Sequence, residues 1–401
     1  MDLALYDPEI GYYARAPQRS GRAGDFFTSV DVGPVFGELL ELQIAEMAAL
    51  LEPPAHSPRL RSAEDRASYG EARQSAEGAT AAQPRFDLVE SGAGNGRLAA
   101  DILRATHDRD PSFYDRIRLH LVEASAAARA AQRGTLGVFA ERLERSADRL
   151  PDPFEGVLIA NELLDAFPVH QVVVHDGTLR EVYVDADLKT VEGPLSTPAL
   201  SGYLERLGVT LEEGWRVEIN LRAVDWIRQA AQRLSRGFIL LIDYGHEARE
   251  LYSATHSAGT LTTFARHTMA GSDHSGLTPA WLARPGEQDI TSHVDFTSVR
   301  AAAESEGLTT IGFLDQTYFL LGILGSGGSA GSAGSLDKLT NHKDHGGHEG
   351  KNVVDGFHGS GRSLKTLLMP GGLGSTHKVL ILGKGVGSPS LRGCSFRVRV
   401  T

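Results

Sequence analysis

The 401-residue chain is 41% hydrophobic, enough to bury a full core, and its 40 Lys and Arg against 51 Asp and Glu give a formal charge of −11. That balance argues against a general binder of nucleic acid or acidic membrane, and the single cysteine, Cys394, excludes an intrachain disulfide framework and any multi-cysteine zinc site. No run approaches the roughly 18 apolar residues of a membrane span, and the opening MDLALYDPEI carries neither a basic leader nor a signal-peptide core, so the chain reads as a cytoplasmic protein of bacterial type.

The first third is dense in Gly, Asp and aromatics at YDPEIGYY (Tyr6 to Tyr13) and GDFFTS (Gly24 to Ser29). Phe36, Leu39, Leu40, Ile44, Met47 and Leu51 then repeat at helical spacing, which predicts a helix from about Pro34 to Leu51 that Pro53-Pro54 stops. Residues 55–85 lack apolar periodicity and read as a surface insertion. From Phe86 onward FDLVE, LAADILRA, IRLHLVEAS and GVLIANELLDA alternate buried-strand runs with helices, the signature of a parallel sheet covered by helices. HQVVVHDGTLREVYVD interrupts it with two alternating strands around Asp176-Gly177, a good hairpin turn. An amphipathic helix over Leu221 to Leu234 feeds the buried strand GFILLIDYG. Residues 246–294 read mostly as loop, Asp295 is placed to cap the helix FTSVRAAAESEG, and Thr309 to Phe313 and Lys378 to Leu382 are the last strands. The resulting organisation is an N-terminal lid segment (1–52), a disordered insertion (53–85), an α/β core (86–324) with inserted regions at about 170–220 and 246–295, a Gly/Ser/His-rich linker (325–362) and a C-terminal strand with a tail (363–401).

The chemistry centres on VESGAGNGRL. A strand, a turn with Gly92, Gly94 and Gly96, and a helix starting near Arg97 place backbone N–H groups and a positive helix end at the carboxyl edge of the sheet. The spacing is G-x-G-x-G, whereas a dinucleotide fingerprint needs its third glycine where Arg97 stands, and no Gly-Lys-Ser/Thr follows for a P-loop. With Glu90 just before it, the turn is similar to the first motif of S-adenosylmethionine-dependent methyltransferases, whose ligand has no phosphate to clasp. The next strand ends in Glu123, where a carboxylate is placed to accept both hydroxyls of a ribose. The plainer readings are an unoccupied turn and a solvated acid.

Longer motifs narrow the class. GDFFTS, ESGAGNGRLAADILR, ANELLDAFPVHQ, LLIDYGH and PGEQDITSHVDF resemble the MidA/NDUFAF7 methyltransferases, from LYDPEIGYY to KVLIL. The resemblance implies a Rossmann-like seven-stranded methyltransferase sheet with a substrate-covering region, S-adenosyl-L-methionine as cofactor, and methylation of an arginine of a respiratory complex I subunit. It also implies a further helical segment ahead of YDPEIGYY, outside this sequence, and closure of Asp25, Thr28 and Ser29 over the cofactor. SGAGN stands where many relatives carry a Leu-Gly-Pro-Gly-Arg type loop, and TLTTFARH lacks an arginine common after its Thr-Leu.

An arginine acceptor demands an acidic site, because a guanidinium is a poor nucleophile until carboxylates localise its charge and help remove a proton. Asn161, Glu162 and Asp165 follow the strand GVLIA at the cofactor edge, and a helical first turn would put Glu162 and Asp165 on one face. Glu162 is the expected guanidinium anchor with Asp165 as helper, followed by Asp243 and His246; Glu90, Gly92, Gly94, Gly96, Glu123 and Asn161 are expected to hold the cofactor. The plainer readings make Asp165 a helix-dipole carboxylate, Asp243 a strand-end cap, and His246 and His293 hydrogen-bonded loop histidines. Tyr12, Tyr13, Phe26 and Phe27 read as core or lid packing. His342, His345, His348 and His358 lie in glycine-rich sequence that presets no coordination geometry, so no metal is expected. Two other classes compete: an assembly chaperone that binds the cofactor without catalysis, and an NAD-dependent oxidoreductase, against which Arg97 counts.

Overall fold

In a computed structural model the described residues are 1–15, 28–52, 84–265, 268–270, 279–325, 361–368 and 376–396. Asp25, Phe26 and Phe27, almost all of the 53–85 insertion and most of the 325–362 linker lie outside them.

The chain forms β1 (Phe86–Ser91), β2 (Ile117–Val122), β3 (Leu143–Ala147), β4 (Phe154–Asn161), β5 (His170–His175), β6 (Thr178–Val184), β7 (Thr190–Gly193), β8 (Arg216–Ile219), β9 (Leu234–His246), β10 (Thr262–Ala265), β11 (Thr268–Ala270), β12 (Asp289–Thr291), β13 (Val294–Asp295), β14 (Thr309–Asp315) and β15 (His377–Lys384). The main sheet runs β14-β15-β9-β4-β1-β2-β3, with β13 pairing the end of β9. β3, β2, β1, β4 and β9 are parallel, while β15 is antiparallel to both its neighbours. The chain order reverses between β1 and β4, and a crevice at the carboxyl ends of those strands is where an open α/β sheet receives its ligand.

Burial explains the apolar strand runs. All of β1 is buried, as is β4 from Gly156 to Ala160, because helices cover both faces. On one face the helices Val35–Leu51, Arg97–Arg109 and Gln316–Gly325 contribute Ile44, Leu103 and Phe319 to a shared core. On the other, helices Leu221–Arg233 and Phe296–Ser305 bring Ile227 and Val299 against Leu158 and Leu241. The second helix starts as its sequence predicts, with Asp295 accepting from the N–H groups of Thr297 and Ser298.

Two smaller sheets extend this core. The hairpin turns at Asp176 and Gly177, both at positive φ (50° and 65°), and joins a four-stranded antiparallel sheet, β7-β6-β5-β8. Residues 246–294, expected as loop, contain a short helix (Ala248–Leu251) and the sheet β11-β10-β12. Leu5 and Tyr12 of the N-terminal segment pack with Leu261 and Ile290 of this region. No helix among the described residues is long and apolar enough to cross a membrane.

Candidate active site

A cavity of about 370 Å³ opens at the switch point, within the size range of small-molecule sites. One wall is the glycine turn. Gly92, Gly94 and Gly96 have φ of 73°, 50° and 84°, and a Cβ on Gly94 would have no neighbour within 4 Å among the described residues, so the backbone at Gly94 faces open space. The N–H groups of Gly92 and Ala93 donate to the Val122 carbonyl at 2.9 and 3.1 Å, fixing the turn against β2. Gly94, Gly92, Glu90 and Glu123 line the cavity, whereas Gly96 stands behind it as the left-handed N-cap of helix Arg97–Arg109.

Glu123 is held rather than free. Its Oε2 accepts the Gly94 N–H at 2.9 Å and its Oε1 accepts the Ser125 N–H at 2.7 Å, so the carboxylate is aimed before any ligand arrives. Glu90 is buried, and its Oε2 accepts the Ala99 N–H at 3.1 Å. Burial pushes its carboxyl up to about 8, against the pull of that hydrogen bond.

Described residues of the N-terminal segment line another part of the cavity. Asp31 accepts from the Thr28 N–H at 3.0 Å and the Thr28 hydroxyl at 2.9 Å, and pairs with Arg97 at 3.2 Å. Arg97 is therefore the clamp between the glycine turn and the residues that follow GDFF. Thr28 lines the cavity; Ser29 is buried beside it, its N–H 3.4 Å from Glu162 Oε1. Tyr6 donates to the Ala166 carbonyl at 3.0 Å and Tyr13 to Asp289 Oδ1 at 2.8 Å, with their rings 5.4 Å apart on the cavity wall. Phe167 and Trp226, an edge-on pair, continue that aromatic side.

At the end of β4 the structure departs from the helical first turn expected at Glu162. Residues 162–167 form a non-helical turn, because Asp243 at the end of β9 captures its backbone: Oδ2 accepts from Leu163, Leu164 and Asp165 N–H at 3.1, 2.8 and 3.4 Å. Glu162 sits at φ +49°, a conformation that costs a non-glycine residue about 1–2 kcal/mol. Asn161 and Glu162 line the cavity. Glu162 Oε1 receives Asn161 Nδ2 at 3.3 Å and lies 3.5 Å from Nε2 of the fully buried His377.

The other expected acids stand elsewhere. Asp165 and Asp243 are buried and do not line the cavity. Burial, reinforced by Asp243, Glu162 and Asp289, holds the Asp165 carboxyl well above the ordinary range. Burial raises Asp243 to about 7, although the Leu164 hydrogen bond opposes this. His246 is not at the cavity but packs against His256 and His293, with ring centroids 4.9 and 5.2 Å away. Tyr6, Asp31, Asp289 and Trp226 did not stand out in the sequence. Asp289 lay inside PGEQDITSHVDF, and Tyr6 inside YDPEIGYY, so the long motifs held the only signal for them.

A glycine turn with open backbone, a preset carboxylate after β2 and a sheet ending in an antiparallel strand define a nucleoside-binding methyltransferase fold. Residues 72–314 match the family described as "Putative S-adenosyl-L-methionine-dependent methyltransferase", and the chain belongs to that family. The chain is 29% identical to mouse "Protein arginine methyltransferase NDUFAF7, mitochondrial" over 80% of its own length and 68% of the relative's, and 30% identical to the bovine protein of the same name over the same shares. A Burkholderia thailandensis protein solved bound to S-adenosyl-homocysteine is 26% identical, with a TM-score of 0.72 over 98% of this chain and 88% of that one. The cofactor of the family is S-adenosyl-L-methionine, and the open glycine backbone and the oriented Glu123 on the cavity wall are chemically suited to it.

Proposed function

We propose that this protein transfers a methyl group from S-adenosyl-L-methionine to an arginine side chain of a partner protein. The names of its mouse and bovine relatives support the acceptor, and the observation that carries the reading is Glu162. Its carboxylate lies on the wall of the same cavity as the glycine turn, fixed by Asn161 and a strained backbone. When bound, the cofactor supplies an electrophilic methyl group on a sulfonium.

The residues of the chain do the rest. Gly92, Gly94 and Gly96 keep the turn bare, Glu90 lies beside it, and Glu123 accepts ribose hydroxyls. Asn161 closes the cofactor side; Asp25 is assigned there by the resemblance, and Thr28 and Ser29 complete the lid. Glu162 receives the guanidinium, localises its charge on the nitrogens it holds and draws off the proton that leaves. Asp243 acts one step back, by fixing the turn that carries Glu162, and Asp165, its carboxyl raised by burial, belongs to that same turn. Tyr6, Tyr13, Phe167 and Trp226 give the cation an aromatic wall that excludes water.

The target is a respiratory complex I subunit on this reading, met in the cytoplasm. The test uses tritiated S-adenosylmethionine in a lysate of the protein's own source. Label recovered as methylarginine, lost in Glu162→Gln while cofactor affinity stays within about threefold, supports the assignment; threefold is about 0.65 kcal/mol, against about 1.4 kcal/mol for a tenfold loss. Cofactor binding without transfer would favour the assembly chaperone instead.

A further inference from the structure

Two motifs supply histidines that methyl transfer leaves unused: His246 closes LLIDYGH at the end of β9, and His293 lies in PGEQDITSHVDF between β12 and β13. The fold brings both to His256, on the 3-10 turn Ala254–His256, so that one ring nitrogen from each lies within 4.8 Å of the others. We propose that His246, His256 and His293 bind a divalent transition-metal ion, zinc above all, that fastens the turn at His256 and the loop at His293 to the end of β9.

The three imidazoles are prepared for this in different ways. His256 Nδ1 lies 3.1 Å from the Glu250 carbonyl oxygen, a contact that only Nδ1–H can donate to, and this leaves the lone pair on Nε2. His293 Nδ1 is buried and has no hydrogen-bond partner among the described residues, the kind of orphaned polar atom that a fold otherwise satisfies. His246 Nδ1 lies 3.0 Å from Oε1 of the exposed Glu250, a carboxylate at the edge of the cluster that offsets charge. Three imidazoles suit zinc better than calcium or magnesium, which prefer all-oxygen shells. Zinc–nitrogen bonds of about 2.0–2.1 Å put neighbouring nitrogens about 3.4 Å apart in a tetrahedral site, so the rings close by roughly an ångström on binding.

The position gives the ion a structural role. His293 is held by its own N–H to Thr260 Oγ1 at 3.0 Å, and the adjoining Ser292 N–H donates to the Asp165 carbonyl at 3.0 Å. The loop that carries His293 is thus bonded to the turn that carries Glu162. An ion across β9, the 246–256 segment and this loop would stiffen the support behind the turn that carries Glu162 without touching the reacting atoms.

The experiment uses the full chain without an affinity tag, stripped with a chelator and titrated with cobalt(II) and then zinc. Wild type is expected to take up about one equivalent with the intense visible absorption of tetrahedral cobalt, to release it to zinc, and to gain thermal stability. His256→Gln and His293→Gln should each weaken uptake at least about tenfold and abolish the thermal gain, while S-adenosyl-homocysteine affinity of the stripped variants matches wild type and shows them folded. Should His293→Gln fail to fold, His256→Gln at the partly exposed corner carries the test alone. No stoichiometric uptake by wild type overturns the proposal. So does uptake that survives the double variant or disappears only when His342, His345, His348 and His358 are replaced.

Discussion

Glu90→Gln isolates one titration in the wall of the cavity. The Glu90 side chain is buried beside the glycine turn, where loss of hydration is the largest influence and pushes its carboxyl from the usual 4.5 to about 8; the Ala99 N–H opposes this, and Glu123 and Asp101 add to it. An acid with a higher pKa folded than unfolded holds its proton more tightly in the native state. Its contribution to stability is therefore full below the unfolded value of 4.5 and is lost as pH rises through about 8. At about 1.36 kcal/mol per unit, that interval sets a ceiling of about 5 kcal/mol, a large part of the 5–15 kcal/mol that holds a typical domain together. Glutamine keeps the shape and an oxygen for the Ala99 N–H but does not titrate. The variant should thus gain on wild type steadily between about pH 5 and pH 9, by several kcal/mol at the alkaline end. Urea unfolding of both proteins across this range reads the difference, in which the other titrating groups cancel. A difference that is flat with pH, or that grows towards acid, refutes the burial argument. Because a cationic ligand favours the ionised carboxylate, the affinity of wild type for S-adenosylmethionine should also rise with pH, and Glu90→Gln should flatten that rise.

Two further substitutions probe how the site is held. Asp243→Ala strands the buried N–H groups of Leu163, Leu164 and Asp165, at about 1–3 kcal/mol each for unsatisfied donors, so a loss of about 4 kcal/mol in urea unfolding is expected, with methyl transfer falling more than cofactor affinity. Asp31→Ala removes the partner of Arg97 and the acceptor of Thr28. Faster proteolysis ahead of Val35 and cofactor affinity about tenfold weaker are expected, with global stability changed by only about 1 kcal/mol.

Local signals in the sequence sufficed wherever the structure is locally determined. The helix Val35–Leu51 follows from the spacing of Phe36 to Leu51, the hairpin from Asp176-Gly177, and the start of helix Phe296–Ser305 from Asp295. The turn at 162–167 was not legible, because what holds it is a carboxylate some 80 residues away: Asp243 accepts three consecutive N–H groups and pins this backbone to the end of β9. That same bond network changes how Asp165 and Asp243 read, since both are buried behind the cavity wall that Glu162 forms. The small strands β8, β10, β11 and β12 were missed for a related reason. They are three or four residues long, too short to show alternation, and exist because a neighbouring strand pairs with them. Arg97 was visible only as a misplaced residue in a dinucleotide fingerprint; its use as the partner of Asp31 needed the fold.

The claim on which the rest depends is that the bare turn after β1 and the preset carboxylate of Glu123 together form the cofactor site. Calorimetric titration of S-adenosyl-homocysteine into wild type, Glu123→Ala and Gly94→Val tests it most directly. Binding at a single site in wild type is expected, weakened in Glu123→Ala by about 1.5–3 kcal/mol, the worth of hydrogen bonds to a charged group. It should be lost in Gly94→Val, where a branched side chain at φ of 50° enters the open space. Wild-type affinity retained in both variants would contradict the account.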